Sequence, residues 1–202
     1  GVLILSPRAV ERVETYAPKW PIPKLFRLTA KGKLNEGIFG SATINTPSML
    51  AVEDAIDALN WAKSIGGLPA LIARSEASLE VVRAWVEITP FFSFLAEEPA
   101  TVSNTSITLS ITDPWFVGLN DTEKAMIASR VTKLLANEGI AFDAASYRDA
   151  PPGIRIWAGP TVETSDIAAL LPWLDWAYAE VAQQRVEQHG CISSNVAKMN
   201  QE

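Results

Sequence analysis

Cysteine, histidine and positive charge are all scarce in this 202-residue chain. The single Cys191 excludes an internal disulfide, and one histidine, His189, leaves no Cys/His cluster able to hold zinc. Lys and Arg total 17 against 23 Asp and Glu, a net charge of -6. That balance argues against a nucleic-acid partner, because phosphate backbones need clustered Lys and Arg. No apolar run approaches the ~18 residues that a membrane-spanning helix needs. Val2–Leu5 is too short for a signal peptide, and Arg8, Glu11 and Arg12 follow at once. Internal repeats and low-complexity tracts are also missing. A cytoplasmic protein without nucleic-acid or membrane partners is expected.

Hydrophobic content of 48% with 20% charged residues is that of a globular chain. Val2-Leu3-Ile4-Leu5 suits a strand buried on both faces. Ala9–Tyr16 predicts a short helix, and Ala30-Lys31-Gly32-Lys33 a hairpin turn between Lys24–Thr29 and Leu34–Phe39. From Pro47 to Ile65, Met49, Val52, Ile56, Leu59 and Ile65 recur near helical spacing, and Gly66-Gly67 ends that helix. A second helix, about Pro69 to Ile88, turns Leu71, Leu79, Val82 and Trp85 to one side. Thr105–Thr112 alternates Ile107, Leu109 and Ile111 with polar residues, the pattern of a half-buried strand. A helix opens at Asp121-Thr122-Glu123 and runs to about Asn137. Ala141–Ser146 and Ile154–Ala158 are expected as short strands. Thr164-Ser165-Asp166 starts the last helix, with Ile167, Leu170, Leu174, Ala177 and Val181 inward and Pro172 expected to kink or split it. Trp61, Trp85, Trp157, Trp173 and Trp176 fall at spacings that point to the core. Strand, helix, strand, strand, helix gives a small sheet covered by helices on one face.

Two motifs carry chemistry. In Ile44-Asn45-Thr46-Pro47-Ser48, Asn45 and Thr46 are both good N-caps and Pro47 fits the first helical position. Such a helix start presents free N–H groups, a positive dipole end and side-chain donors, a combination that holds a phosphate. Taken alone, it is also an ordinary cap. The second motif is Tyr147-Arg148 with Gly153-Ile154-Arg155-Ile156. A guanidinium fixed on a strand can grip a carboxylate through two parallel hydrogen bonds. By pattern alone, Arg155 is better read as an arginine on the solvated face of an ordinary strand.

These segments, with Glu36-Gly37-Ile38-Phe39 before Asn45-Thr46-Pro47-Ser48, resemble the C-terminal half of phosphoserine aminotransferases, class V enzymes that use pyridoxal phosphate. The resemblance implies an α/β plus α+β fold, the C-terminal part of an aspartate-aminotransferase-type (fold type I) enzyme. Residues 1–67 would end the large cofactor-binding domain, 68–188 would form the small α+β domain, and 189–202 a tail. It implies that Asn45 and Thr46 reach the cofactor phosphate in the neighbouring subunit of a homodimer. It further implies that Arg155 binds the substrate α-carboxylate and that Tyr147-Arg148 occupies a place where the family commonly has His-Arg against a phosphate or side-chain carboxylate. A tyrosine hydroxyl donates a hydrogen bond but adds no positive charge near neutral pH. The substrates would be small anionic amino acids and keto acids: phosphoserine and 2-oxoglutarate, giving 3-phosphohydroxypyruvate and glutamate in serine biosynthesis. The family's cofactor-bearing lysine lies upstream of the segment resembling Val2–Arg8. A truncated chain, inactive alone and holding no covalent pyridoxal phosphate, is therefore expected, with no catalytic residue and no metal of its own. Another class V aminotransferase, such as an alanine–glyoxylate type, and a non-catalytic dimerisation or binding module remain the alternatives.

Overall fold

The computed structural model describes residues 4–199, with side chains through residue 184. Val2 and Leu3 of the proposed strand, and the side chains of His189 and Cys191, lie outside the described residues. The chain divides into two compact units, Gly1–Trp61 and Ala62–Glu202.

In the first unit, helix α1 (Pro7–Thr15) starts where the sequence offers Ser6 as N-cap and Pro7 at N1. A two-stranded hairpin follows, β1 (Thr29–Ala30) and β2 (Lys33–Leu34), much shorter than the expected arms. Its turn places both Lys31 and Gly32 at positive φ, 54° and 75°. Glu14 fastens α1 to this hairpin. Its carboxylate accepts from the Leu34 backbone N–H at 2.9 Å and from Lys33 Nζ at 3.0 Å. Those two bonds, the backbone one foremost, hold the Glu14 carboxyl below its ordinary range.

Helix α2 (Met49–Ser64) corrects two expectations. It starts two residues later than predicted, because Ser48 takes the cap: its Oγ accepts from Ala51 N–H at 3.4 Å and its carbonyl from Val52 N–H at 3.1 Å. Asn45 and Thr46 lie upstream of that start and do not cap it. Its apolar stripe is exposed: Met49, Val52, Ile56 and Leu59 all face water, and none of residues 4–61 is buried. Ile4 is likewise 89% exposed in an irregular segment, not in a buried strand, and no strand among the described residues pairs with it.

The second unit holds the core. Gly66 and Gly67, at φ +117° and +70°, separate α2 from α3 (Gly67–Val86). Three antiparallel strands follow in the order β3 (Phe92–Phe94), β4 (Ser106–Ile111), β5 (Gly153–Trp157). A short helix α4 (Pro114–Val117) and then α5 (Asp121–Asn137) lie between β4 and β5. Asn120 and Glu123 close a reciprocal capping box on α5. The last helix, α6, runs Thr164–Met199.

Residues facing each other across the ladder share a face of the sheet. Ile107 pairs with Ile156 and Leu109 with Ile154, and all four are buried against Val82, Val131, Leu135 and Leu174 of α3, α5 and α6. Tyr178 sits in this core, with Phe91, Phe92 and Trp115 ring centroids at 4.7, 5.7 and 6.1 Å. Asp175 joins α6 to the end of α3, accepting from Trp85 Nε1 at 2.8 Å and Thr89 Oγ1 at 2.6 Å. The opposite face carries Ser106, Thr108, Ser110 and Arg155, away from the helix-packed core among the described residues.

Four further expectations need correction. Pro172 does not split α6: the helix continues through it, with Pro172 outward and Leu171 and Leu174 packed inward. The inner-face burial offsets the ~3 kcal/mol that an interior proline costs. Leu170, expected inward, is half-buried and packs against the same core as the fully buried Leu171. The chain expected as a tail from residue 189 is helical through Met199. Ala141–Ser146 is no strand but an irregular segment joined to β5 by a single bridge, Ala145 to Ile154. Of the five tryptophans assigned to the core, only Trp85 is buried: Trp61, Trp157 and Trp173 are exposed, and Trp176 is half-buried. Trp157 pairs with Ser106 on the face of the sheet away from the core, and Trp173 follows Pro172 on the outer side of α6.

Candidate active site

Arg155 stands in the middle of β5 on the face of the sheet away from the core, opposite Thr108. An arginine there would normally face water. Here it is buried, with 6% of its surface exposed, because the segment 143–147 folds over it. The backbone sets that position: Arg155 N–H donates to the Ala144 carbonyl at 2.9 Å. Gly153 lets the strand enter this arrangement, since a Cβ there would overlap the Leu109 carbonyl oxygen.

The guanidinium is held on three sides. Nη2 donates to Asp143 Oδ2 at 2.7 Å and, more loosely, to the Asp143 carbonyl at 3.5 Å. Nε donates to the Ala145 carbonyl at 3.4 Å. The Tyr147 ring covers one face, 4.5 Å from Cζ to the centroid. Nη1 donates no hydrogen bond among the described residues. A buried, positioned arginine with two unused donors is suited to a carboxylate.

Arg148 lies in the neighbouring cleft of about 230 Å³, with Ser129, Thr132, Ser146 and Tyr147 among its walls. It is exposed and makes no ion pair among the described residues. Tyr147 and Gly153 border both this cleft and the smaller one at Arg155. The structure thus brings Tyr147 onto Arg155 and sets Arg148 beside them. Asn45 belongs to the first unit, where it lines a cleft of about 710 Å³ with Lys24, Arg27, Asn35 and Thr43. Thr43 Oγ1 donates to the Asn45 carbonyl at 2.7 Å, and Thr46 is exposed nearby in sequence. Asp143 went unrecognised in the sequence, which holds no signal for it: only the fold of 143–147 over β5 brings it to Arg155.

Comparison with known proteins finds relatives over part of their length. The chain is 48% identical over 178 residues to a phosphoserine aminotransferase of Methanosarcina mazei, and 50% identical over 178 residues to that of Methanosarcina barkeri. The chain is a phosphoserine aminotransferase homologue. Both matches take in 88% of this chain but 45% of the relative, so the chain spans less than half the length of those curated relatives. A phosphoserine aminotransferase of a Nocardioides species is 28% identical over 180 residues. A solved phosphoserine aminotransferase structure superposes with a TM-score of 0.57 at 17% identity, over 71% of this chain and 36% of that one. That likeness supports the mixed α/β fold. No protein-family model matches the chain. No helix among the described residues is long and apolar enough to cross a membrane.

Proposed function

We propose that this homologue is the C-terminal part of a phosphoserine aminotransferase, transferring an amino group between phosphoserine and 2-oxoglutarate. The observation that carries the reading is Arg155: a buried guanidinium on the floor of a cleft, with Arg148 exposed in the next cleft along. Two cations at adjacent openings suit a small substrate with an anionic group at each end. Arg155 holds the α-carboxylate through two parallel N–H donors and so fixes the amino acid's orientation. Arg148, aided by the hydroxyls of Ser129, Thr132 and Ser146, receives the phosphate of phosphoserine or the side-chain carboxylate of glutamate. Residues 1–67 then belong to the large domain and residues 68–188 to the small one.

The donor set around Asn45 fits part of pyridoxal phosphate. An amide beside Lys24 and Arg27 suits its phosphate group, which Asn45, with Thr46 close by, would help to hold in a homodimer. When bound, that cofactor draws electrons from the α-carbon of the substrate, which lets the amino group be passed on. The lysine that carries it must be desolvated and aimed at its aldehyde carbon. Lys24 is exposed on a 3-10 turn and is not assigned that role. No other lysine of this chain is assigned that role in this reading either, and the chain alone is expected to be inactive. Its contribution is to bind and orient the substrate.

A second reading has one observation in its favour. Tyr147 stacks on Arg155 and adds no charge beside Arg148, so a class V aminotransferase acting on substrates without phosphate fits the same carboxylate site. Joining this chain to the upstream part of the Methanosarcina mazei relative makes a testable whole. With pyridoxal phosphate, that chimera should transfer the amino group of phosphoserine to 2-oxoglutarate much faster than that of alanine. Equal rates would favour the second reading, and no transfer from either would count against both.

A further inference from the structure

The ion pair at the centre of the site is lopsided. The Arg155 side chain is 8% exposed, whereas that of Asp143 is 83% exposed and reaches inward from solvent. Asp143 makes one short contact, Oδ2 to Nη2 at 2.7 Å, and among the described residues its carboxylate has no second anchor. Arg155, by contrast, keeps its backbone bond to Ala144, its Nε donor to Ala145 and its stack on Tyr147 whether or not Asp143 is in place. An incoming carboxylate that grips the Nη1–Nη2 edge finds Nη1 unused and Nη2 already occupied by Asp143. The two carboxylates compete for the same donor. They also repel each other if both stay, since like charges a few ångströms apart disfavour shared occupancy.

We propose that Asp143 is a resident competitor at the carboxylate site, a self-inhibitory anion that neutralises Arg155 when the cleft is empty and swings out to solvent when a substrate carboxylate binds. This rests on the reading of Arg155 as the carboxylate-binding residue. Asp143 is then a specificity-determining residue: it weakens monodentate or poorly placed anions, which cannot displace it, more than a carboxylate that takes both Nη donors. An exposed aspartate with a single bond exchanges at little cost, whereas a buried partner would lock the site shut.

The test is acetate binding to the 15N-labelled chain at constant ionic strength, followed on the Arg155 Nε–H resonance, which Arg155→Lys identifies by its loss. Asp143→Asn retains the shape of the side chain and removes its charge, and Asp143→Ala removes the competitor altogether. Both variants should bind acetate at least fivefold more tightly than the parent, with the remaining amide spectrum unchanged. Should Asp143→Ala disturb the fold, Asp143→Asn decides alone. Equal affinity in parent and variant overturns the competitor and leaves the Arg155 reading standing. Weaker binding in the variants also overturns it and makes Asp143 a positioning residue that supports the guanidinium. Acetate that shifts the Arg155 resonance in neither protein overturns both the proposal and the reading on which it rests.

Discussion

The Tyr147 ring lies over the Arg155 guanidinium, 4.5 Å from Cζ to the ring centroid. A residue expected to face the substrate's second anion thus spends its aromatic face on the first cation. The stack fixes the plane of the guanidinium, and with it the direction in which the free Nη1 donors point. In the proposed function, Tyr147 then acts on the carboxylate through Arg155, and its hydroxyl is left for a minor part.

It follows that the ring matters more than the hydroxyl. In the chimera with the Methanosarcina mazei half, Tyr147→Phe should keep KM for phosphoserine within about twofold. Tyr147→Ala should raise it roughly two- to fivefold, the effect of losing an exposed cation–π contact of ~0.5–1 kcal/mol. Phe as harmful as Ala would show that the hydroxyl carries the role.

Asp175 provides a test of the fold, independent of the site. Its carboxylate satisfies Trp85 Nε1 and Thr89 Oγ1 at the join of α3 and α6. Asp175→Ala leaves both donors without that acceptor and should destabilise the second unit by about 2–4 kcal/mol. Asp175→Asn, which can still accept one bond, should cost less. Urea unfolding followed by tryptophan fluorescence measures both.

The Glu14 clamp carries a pH dependence of defined sign. The folded carboxyl is held below its ordinary range by the Leu34 N–H and Lys33 bonds. Its contribution is therefore complete above the ordinary glutamate pKa and is lost as pH falls through the lowered folded value. The protection factor of the Leu34 amide, its exchange rate relative to that of an unstructured amide at the same pH, should be high at neutral pH and fall on acidification, and Glu14→Gln should remove that pH step. An unchanged acid profile in Glu14→Gln would contradict the assignment.

The exposed stripe of α2 bears on assembly. Met49, Val52, Ile56 and Leu59 form an exposed apolar row, and none of residues 4–61 is buried. Contiguous apolar patches of a few hundred Å² tend to acquire partners. Sedimentation velocity should show a concentration-dependent dimer or larger species, shifted toward monomer by Ile56→Glu with Leu59→Glu. A monomer at every concentration would rule this out.

What was legible in the sequence divides along a physical line. The alternation of Ile107, Leu109 and Ile111 and the Asn120–Glu123 box are local signals, and β4 and α5 appear where those residues place them. The Pro47–Ile65 pattern located α2, though periodicity reports that a face is apolar and not what covers it. Ser48 displaced Asn45 and Thr46 as cap because three adjacent good caps cannot be ranked by identity alone. The alternation of Phe92-Ser93-Phe94 was present and could have revealed β3. Arg155 was recognised as an arginine on a strand, but its burial, its stack on Tyr147 and its pairing with Asp143 arise from tertiary structure. No spacing in the chain encodes them.

The division of labour between the two arginines tests the central claim most directly. The quantity is the ratio of kcat/KM for phosphoserine to that for alanine, measured in the chimera and in its Arg155→Ala and Arg148→Ala variants. Arg155→Ala should lower both substrates roughly tenfold to a hundredfold, the effect of losing charge-assisted hydrogen bonds of ~1.5–3 kcal/mol, and leave the ratio nearly unchanged. Arg148→Ala should lower phosphoserine by a similar factor, leave alanine nearly untouched and collapse the ratio. If both variants lower the two substrates by the same factor, Arg148 does not read the phosphate and the account of the site is contradicted.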